Sequence, residues 1–575
     1  TQNNSDLPTN DIRTITLDNN ENAWVGTKLG LVKLEKISQD DYQLYIYFGR
    51  DEYSENNAIT HIISDKKNNI WGVKLKGAFK FDGDKFREFG PETGLADYYI
   101  NTLEEDMEGN LWFGSNSSGL FQFKSDKFLV FDESIGLVDN HVKSIIEDEN
   151  HNIWVATAKG ISRLEAITYN IDQAVNNRFK GTNFSVIFED SKQNIWMGSY
   201  HGEELLQYNM RSRRLKKYST RDGLKTNSVL AISEDKNGNV WFTTTQETGA
   251  TKFTYNKYSS MNGKFESVGK EKGLDGKYRI IHKDQDSVLW FGSANKGLYK
   301  LVEDTFHIYN EKQGLNTLRI GAIAHDSENT IWIATIGGGI YKYDHKKFVN
   351  YTVEDGLSSD NPYIVVCDNK DRVWIGTNTG IDKFEPETKE VTHYGQEEGF
   401  VGIETNQNAV HKDHLGNLWF GTLNGLVKFE PSKDFPNLKE PQTHLLNIKL
   451  FHKDQDLSKY ADSISERSKL PVNLRLPENK NHLTFEFVGI SLTAPKRVKY
   501  KYYLEGFEKD YLPETNSTFA TYTNLPPGDY VFKLKAANAN DIWNKEPVTF
   551  KFTIITPFYK TLAFYIIVVV LLIGL

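Results

Sequence analysis

One position recurs ten times in a repeated sequence pattern, and its occupants carry donors suited to sugar recognition. It lies just ahead of a short alternating strand and is found by counting back from the Asp that begins a turn in every repeat. The position holds Asp11, Ala58, Tyr99, His141, Asn183, Ser228, Lys277, Arg319, Asn361 and Asn406. In the last seven repeats the residues are His, Asn, Ser, Lys, Arg, Asn and Asn, whose donors can bind sugar hydroxyl or carboxylate groups.

Neighbouring side chains extend this candidate surface. Tyr98, Tyr278, Arg279, Tyr363 and Gln407 could add stacking faces and hydrogen bonds. The predicted ligand-binding residues are Tyr99, His141, Lys277, Tyr278, Arg279, Arg319, Asn361, Tyr363, Asn406 and Gln407. Any one of them could instead be an ordinary solvated loop residue, so the prediction rests on the set.

The elements that must position these residues are the blades of a β-propeller. Tryptophans recur at intervals of 41 to 49 residues, at Trp24, Trp71, Trp112, Trp154, Trp196, Trp241, Trp290, Trp332, Trp374 and Trp419. Each lies in a phrase such as "EDKNGNVWFTTT", which reads as strand, polar turn, strand and a further short strand. Such four-stranded units bury their faces only by stacking radially, so we interpret each periodic Trp as core between neighbouring sheets.

Several classes of chemistry find no support in the sequence. A net charge of −9 argues against nucleic-acid binding, because a phosphate backbone requires a basic surface. Cys367 is the single cysteine, which excludes an internal disulfide and a thiolate metal site. The histidines are scattered along the chain, and no nucleophile motif is evident. We therefore predict no catalytic residue, no cofactor and no metal site, although propellers as a class include enzymes.

The chain changes character twice after the repeats. Residues 1–438 form the propeller region, and residues 439–556 show alternating strands such as "LTFEFVGI" that indicate an immunoglobulin- or fibronectin-like β-sandwich. Residues 557–575 end in "LAFYIIVVVLLIGL", which favours the start of a transmembrane helix over a buried terminal strand. Because Thr1 is neither an initiator Met nor the start of a signal peptide, we expect this sequence to be part of a longer protein.

The residues of both regions carry a family resemblance. "YKYYLEGFEKDY", then "TYTNLPPGDYVFKLKAANANDIW" and "PFYKT" before the apolar run, resemble the triple-tyrosine domain of bacterial two-component sensors. The ten tryptophan repeats resemble the regulator-propeller repeats found upstream of that domain. The resemblance implies the periplasmic region of an inner-membrane sensor, often one that detects oligosaccharides and is followed by a cytoplasmic histidine kinase or a DNA-binding output.

The chain departs from the family pattern in its number of repeats. Family members commonly have fourteen, arranged as two seven-bladed propellers, whereas ten are present here. The ten could form one seven-bladed propeller and part of another with a boundary near residue 140, or close in some other way. We expect a ligand-sensing region that binds an oligosaccharide or another small ligand and forms a homodimer through the sandwich and the membrane helix. The alternative is a membrane-anchored propeller that binds a protein partner without a small ligand.

Overall fold

The computed structural model confirms an all-β chain of propeller sheets and a β-sandwich with a C-terminal helix. It describes residues 7–38, 41–47, 58–90, 95, 99–123, 127–166, 168–202, 205–246, 249–400, 402 and 404–574. Eight of the propeller sheets have four strands and two have three within these ranges. The repeats fall into two groups, which we call the arc and the ring.

The arc consists of three antiparallel sheets in which each strand pairs with the next along the chain. Its strands are β1 (Ile12–Leu17), β2 (Ala23–Thr27), β3 (Gly30–Lys36), β4 (Tyr42–Ile46), β5 (Ile59–Ser64), β6 (Ile70–Lys74), β7 (Ala78–Phe81), β8 (Phe86–Phe89), β9 (Ile100–Glu105), β10 (Leu111–Ser115) and β11 (Leu120–Phe123). The innermost strands β1, β5 and β9 lie side by side in that order.

The ring consists of seven sheets. Its strands are β12 (Phe128–Phe131), β13 (Val142–Glu147), β14 (Ile153–Thr157), β15 (Gly160–Leu164), β16 (Phe184–Glu189), β17 (Asn194–Ser199), β18 (Leu205–Asn209), β19 (Arg214–Tyr218), β20 (Val229–Glu234), β21 (Val240–Thr244), β22 (Ala250–Tyr255), β23 (Gly263–Val268), β24 (Tyr278–Lys283), β25 (Leu289–Ser293), β26 (Leu298–Val302), β27 (Thr305–Tyr309), β28 (Ile320–His325), β29 (Ile331–Thr335), β30 (Gly339–Tyr343), β31 (Phe348–Tyr351), β32 (Ile364–Cys367), β33 (Val373–Gly376), β34 (Ile381–Phe384), β35 (Val391–Tyr394), β36 (Thr405–Lys412), β37 (Leu418–Thr422) and β38 (Gly425–Phe429).

The ring closes by strand exchange along the chain. Strand β12 follows the arc in sequence but pairs antiparallel with β38, from Phe128 opposite Phe429 to Phe131 opposite Leu426. The innermost strand β13 of the first ring sheet also lies against β36 of the last. The first ring sheet has three strands and is followed by the short helix α1 (Gln173–Phe179). The closure left open by the sequence is therefore three sheets followed by a closed seven.

A side-chain hydrogen bond between an Asp and a Trp, repeated ten times, explains why each repeat folds in the same way. The Asp before the turn accepts a hydrogen bond from the indole Nε1 of the Trp six residues later, as between Asp148 and Trp154 at 2.7 Å. The same bond forms at all ten tryptophans. The other Asp148 oxygen accepts the backbone N–H groups of Asn150 and Asn152, each at 2.9 Å, which fixes the turn.

The sandwich packs two sheets face to face. Its strands are β39 (Gln442–Leu450), β40 (Ser463–Ile464), β41 (Pro471–Val472), β42 (Leu474–Pro477), β43 (Leu483–Ile490), β44 (Lys499–Glu505), β45 (Phe519–Tyr522), β46 (Gly528–Ala537) and β47 (Val548–Ile555). One sheet has the order β39-β43-β45 and the other β42-β47-β46-β44. Phe485 of the first stacks on Phe532 of the second with ring centroids 4.3 Å apart, so the core lies between the sheets.

The chain continues from the sandwich into an apolar helix, α2 (Leu562–Gly574), none of whose residues is buried. At 13 residues it is shorter than a membrane span requires. Among the described residues, no helix combines the length and the apolar character needed to cross a membrane.

Candidate functional site

The ring has a polar cavity at the end where its innermost strands begin, which we call the mouth. The cavity has a volume of about 530 Å³ and is lined by side chains from several sheets. The lining includes five predicted residues: His141, Lys277, Arg279, Asn406 and Gln407. Radial stacking thus brings together residues up to 266 positions apart in the sequence.

A hydrogen-bonded pair links sheets within the mouth. Arg279 Nη1 on β24 donates to Gln407 Oε1 on β36 at 3.2 Å. Gln407 Nε2 in turn donates to the carbonyl oxygen of Gly321 on β28 at 3.3 Å. Because the guanidinium has five donors and one is used here, it retains capacity for a ligand carboxylate or hydroxyl.

A second polar group at the mouth links the first ring sheet to the last ring sheet on one side and to the second on the other. Asn406 Nδ2 donates to the carbonyl oxygen of Val142 at 2.5 Å, and Lys143 Nζ donates to Asn183 Oδ1 at 2.7 Å. Burial and the nearby Lys143 ammonium lower the pKa of His141, which favours a neutral imidazole able to donate and accept. Burial also lowers the pKa of Lys143.

The cavity has a positive lining in a protein that is acidic as a whole. Lys143, Lys277 and Arg279 line it, and none of its described lining residues carries a carboxylate. The net charge of the chain is −9. Such local charge favours anionic over neutral ligands, since a concave site focuses the field of its own side chains.

Five predicted residues do not line this cavity. Tyr278 is the clear correction, because it is fully buried and packs edge-on against Tyr299 at 5.1 Å in the core between sheets. Arg319 and Asn361 are exposed on ring loops outside the cavity, and Tyr363 is half-buried. Tyr99 lies on the arc, immediately before β9, and Tyr98 lies outside the described residues.

Strand alternation explains the correction. The residue immediately after the recurring position points into the sheet interface, as Val142, Phe184, Val229 and Tyr278 all do. Gln407 has the same place in the last ring sheet, yet it reaches the mouth. The β36–β37 pairing shifts register between Thr405 and Val410, which releases Gln407 from this alternation.

The sequence reasoning missed three notable mouth residues. Lys143 lies two positions after His141, where alternation points its side chain to the same side. Tyr200 and His201 follow β17 and bring an aromatic pair to the rim, with ring centroids 5.2 Å apart. The β17–β18 connection lies at the same end as the start of β16, because these strands are antiparallel. Its unusual "SYHGEE" sequence was the available signal.

A second cleft, of about 540 Å³, lies between the arc, the ring and the sandwich. Many of its charges are engaged within the protein. Asp434 pairs with Lys127 at 3.1 Å and Lys383 at 3.3 Å, and Glu108 accepts the backbone N–H groups of Leu492 and Thr493. This cleft therefore serves first as a contact between domains.

Three potential metal-ligating residues that are scattered along the chain lie together in the fold. Glu147, His151 and His414 lie at the end of the ring opposite the mouth, with their potential ligand atoms all within 4.8 Å of one another. The chain separates His414 from Glu147 by 267 residues, so no local spacing could have revealed the cluster.

Comparison with known proteins identifies both regions. Residues 491–554 match the Y_Y_Y domain, and residues 94–117, 136–159 and 223–246 match the two component regulator propeller. The chain is therefore similar to both families over these segments. The propeller matches fall on both the arc and the ring, and the Y_Y_Y match begins just after β43 in the sandwich.

Of two similar solved structures, one shows the same fold, at a TM-score of 0.71. The extracellular domain of BT3049 from B. thetaiotaomicron, described as a putative hybrid two component system, is 22% identical, with a TM-score of 0.71 over 96% of this chain and 73% of that one. The extracellular domain of BT4673 from the same organism is 17% identical, with a TM-score of 0.44 over 96% and 82%.

A curated protein is similar to part of this chain in sequence. "Histidine kinase P4" of Formosa agariphila is 23% identical over 178 residues, which is 31% of this chain. The match spans 13% of that relative's length.

Proposed function

We propose that this chain is the extracytoplasmic ligand-sensing region of a two-component sensor and that the ring mouth binds an oligosaccharide. The observation that carries the proposal is the cavity of about 530 Å³ lined by Lys143, Lys277, Arg279 and Gln407. Its size falls in the range of small-ligand sites. The regulator-propeller and Y_Y_Y matches support the sensor role.

The charge of the mouth narrows the ligand to an acidic oligosaccharide. Arg279 can form paired hydrogen bonds with a carboxylate or sulfate, and Tyr200 can stack on a sugar ring at the rim. The three cations concentrate an anionic ligand, whereas a neutral sugar would use only the polar donors. We propose no catalytic step in this segment, and no cofactor is required for binding.

Titration calorimetry with size-matched acidic and neutral oligosaccharides tests this proposal. We expect Arg279→Ala to weaken binding of an acidic member by at least about tenfold, since a charge-assisted bond contributes roughly 1.5–3 kcal/mol. Arg319→Ala is the matched control, because Arg319 is exposed outside the cavity, and its affinity should stay within about twofold.

Two results would contradict the proposal. Equal losses of affinity in Arg279→Ala and Arg319→Ala would show that the cavity is not the binding site. If the folded protein bound no oligosaccharide of the panel, the alternative that the ring binds a protein partner would be favoured.

The route from ligand to membrane is part of the proposal. We propose that the sandwich and α2 mediate a homodimer, and that α2 contributes to attachment at the inner membrane, which would leave the ring in the periplasm. The apolar, unburied α2 supports this arrangement. Analytical ultracentrifugation with and without residues 557–575 should show a dimer that weakens on removal, and a monomer in both would oppose it.

A further inference from the structure

The seam of the ring, where the sheet of β13 meets the sheet of β36, carries four chemistry-bearing residues at the end opposite the mouth. Glu147 ends β13, and His151 lies in the turn that follows. His411 lies on β36, and His414 lies in the turn after it. The two chain segments, "EDENH" and "HKDH", come from the first and last ring sheets.

Part of this arrangement is a structural contact found between other neighbouring sheets. An acidic side chain that ends one innermost strand accepts the backbone N–H of the residue after the turn Asp in the preceding sheet. Glu189 accepts from Glu149 at 3.0 Å, and Glu234 accepts from Ser191 at 3.0 Å. Glu147 likewise accepts the His414 N–H at 2.8 Å. That recurring contact uses only one carboxylate oxygen of Glu147, Oε2, and it does not involve any of the imidazole side chains.

Two imidazole nitrogens converge on the other oxygen of Glu147. His151 Nδ1 lies 3.0 Å from Oε1, and His414 Nδ1 is in direct contact with the same atom. The two rings stack with centroids 3.7 Å apart. At the equivalent position between other sheets, the residue corresponding to His414 is Glu149 or Ser191, so the imidazole is particular to the seam.

A further imidazole faces the same carboxylate without a partner. His411 Nε2 lies 3.8 Å from Glu147 Oε2, beyond hydrogen-bond distance. This nitrogen is buried and has no hydrogen-bond partner. A buried nitrogen left unpaired costs free energy, which a metal ion or a captured proton could recover.

We propose that Glu147, His151 and His414 bind a divalent transition-metal ion of the zinc type, with His411 as the fourth ligand. Zinc–nitrogen bonds of about 2.0–2.1 Å place tetrahedral ligand atoms about 3.3 Å apart. The ligand atoms of Glu147, His151 and His414 lie within 4.8 Å of one another, and His151 Nδ1 is 3.0 Å from Glu147 Oε1. His411 lies outside this group and must turn toward it to become the fourth ligand. A set of three imidazoles and one carboxylate favours zinc, copper or nickel over calcium or magnesium. The His151 and His414 side chains are 51% and 41% exposed, so an ion has access.

The position gives the ion a structural consequence. Ligands from the first and last ring sheets would be joined through it, so the metal would reinforce the ring where β12 and β38 already close it. A ligand that binds the folded ring and not the unfolded chain raises its stability by mass action. This inference is independent of the proposed sugar site, which lies at the other end of the ring.

The experiment uses the full chain after chelation and dialysis, titrated at pH 7.5 with zinc chloride by calorimetry and followed by thermal unfolding. We expect one zinc per chain and a Tm rise of at least about 3 °C. His151→Ala and His414→Ala should each weaken zinc binding at least tenfold, and His411→Ala should weaken it by a smaller factor. Cobalt substitution should give the visible absorption bands of a tetrahedral site.

Two controls separate a built site from scattered surface histidines. His307→Ala removes an exposed histidine on β27 and should leave zinc binding unchanged. Glu147→Gln retains an acceptor for the His414 N–H, so it should fold normally and still lose zinc affinity. Unchanged zinc binding in both His151→Ala and His414→Ala would overturn the proposal. So would the absence of stoichiometric binding at zinc concentrations up to ~100 μM.

Discussion

The arc and the ring are built from the same repeat, yet the same position is exposed in the first arc sheet and buried in the first ring sheet. Ile15 on β1 and Ile145 on β13 each lie three residues before the turn Asp. Ile15 is 63% exposed, whereas Ile145 is 4% exposed. Strand β13 is covered by β36 across the seam, and no described strand covers that side of β1. Local sequence therefore determines the sheet, while closure determines its burial.

Loss of a repeat tryptophan should give the largest effect and test whether ring and arc differ in packing. Trp196 is fully buried, stacks on Tyr218 and donates to Asp190 at 2.7 Å. We expect Trp196→Ala to lower the free energy of unfolding of the ring by about 4–5 kcal/mol.

The matched variant in the arc is Trp112→Ala. Trp112 makes the equivalent bond to Asp106 at 2.8 Å but is only half-buried. Its loss should cost about 2–3 kcal/mol, measured by denaturant unfolding with hydrogen exchange to separate the regions. Equal losses in the free energy of unfolding for Trp196→Ala and Trp112→Ala would show that closure of the ring does not improve the packing of the repeat tryptophan.

Strand β12 tests the boundary between the two regions. Phe128 packs against Phe429 with ring centroids 5.0 Å apart, and against Phe400 at 5.8 Å. Phe128→Ala should destabilise the ring by about 3–4 kcal/mol and increase hydrogen exchange in β38. The arc should keep its protection, and a loss confined to β9–β11 would place β12 with the arc instead.

A carboxylate at one strand end offers a pH-dependent comparison. Burial, with repulsion from Asp148, raises the pKa of Glu189 in the ring to about 7. The folded ring therefore holds this proton more tightly than the unfolded chain, so stability should fall as pH rises from about 4.5 to about 7 and then level off. Glu189→Gln should remove about 1–2 kcal/mol of that loss after allowance for solvent screening.

Glu105 at the same place in the arc is the control. Burial raises the pKa of Glu105 as well, but the Lys66 N–H and ammonium oppose the shift. Glu105→Gln should therefore change the pH dependence less than Glu189→Gln does. Thermal unfolding of both variants between pH 4.5 and 8 decides this, and a larger effect at Glu105 would reverse the comparison.

Much of the fold could be predicted because its signals are local. The Asp and the Trp of each turn are six residues apart, and their bond forms inside one repeat. The ring closure could not be predicted, because the β12 sequence "FLVF" resembles the outer strand of any repeat and its partner lies about 300 residues away. Local sequence does not distinguish pairing of β12 with its own repeat from pairing with the last repeat, because the preference of a strand for one partner depends on tertiary packing.

The binding site was predictable only in part, for a related reason. Counting back from the turn Asp found His141, Lys277 and Asn406, because the repeat fixes their place at the mouth. It also included Tyr278, whose side chain alternation turns into the core. The register shift in β36 that exposes Gln407, and the seam that joins His414 to Glu147, depend on contacts between distant repeats.

The smallest expected effect is that of Ile15→Ala, and comparing it with Ile145→Ala isolates burial from every other property of the repeat. Ile145→Ala should lower the free energy of unfolding of the ring by about 2–4 kcal/mol, because it leaves a cavity beneath a closed seam. Ile15→Ala should change the arc by less than about 0.5 kcal/mol, since most of the side chain already contacts solvent. Both substitutions remove the same atoms from the same place in the same motif. A cost at Ile15 as large as that at Ile145 would mean that β1 is covered in solution, by another copy of this chain or by another domain, and the full chain's oligomeric state measured by ultracentrifugation would distinguish these two.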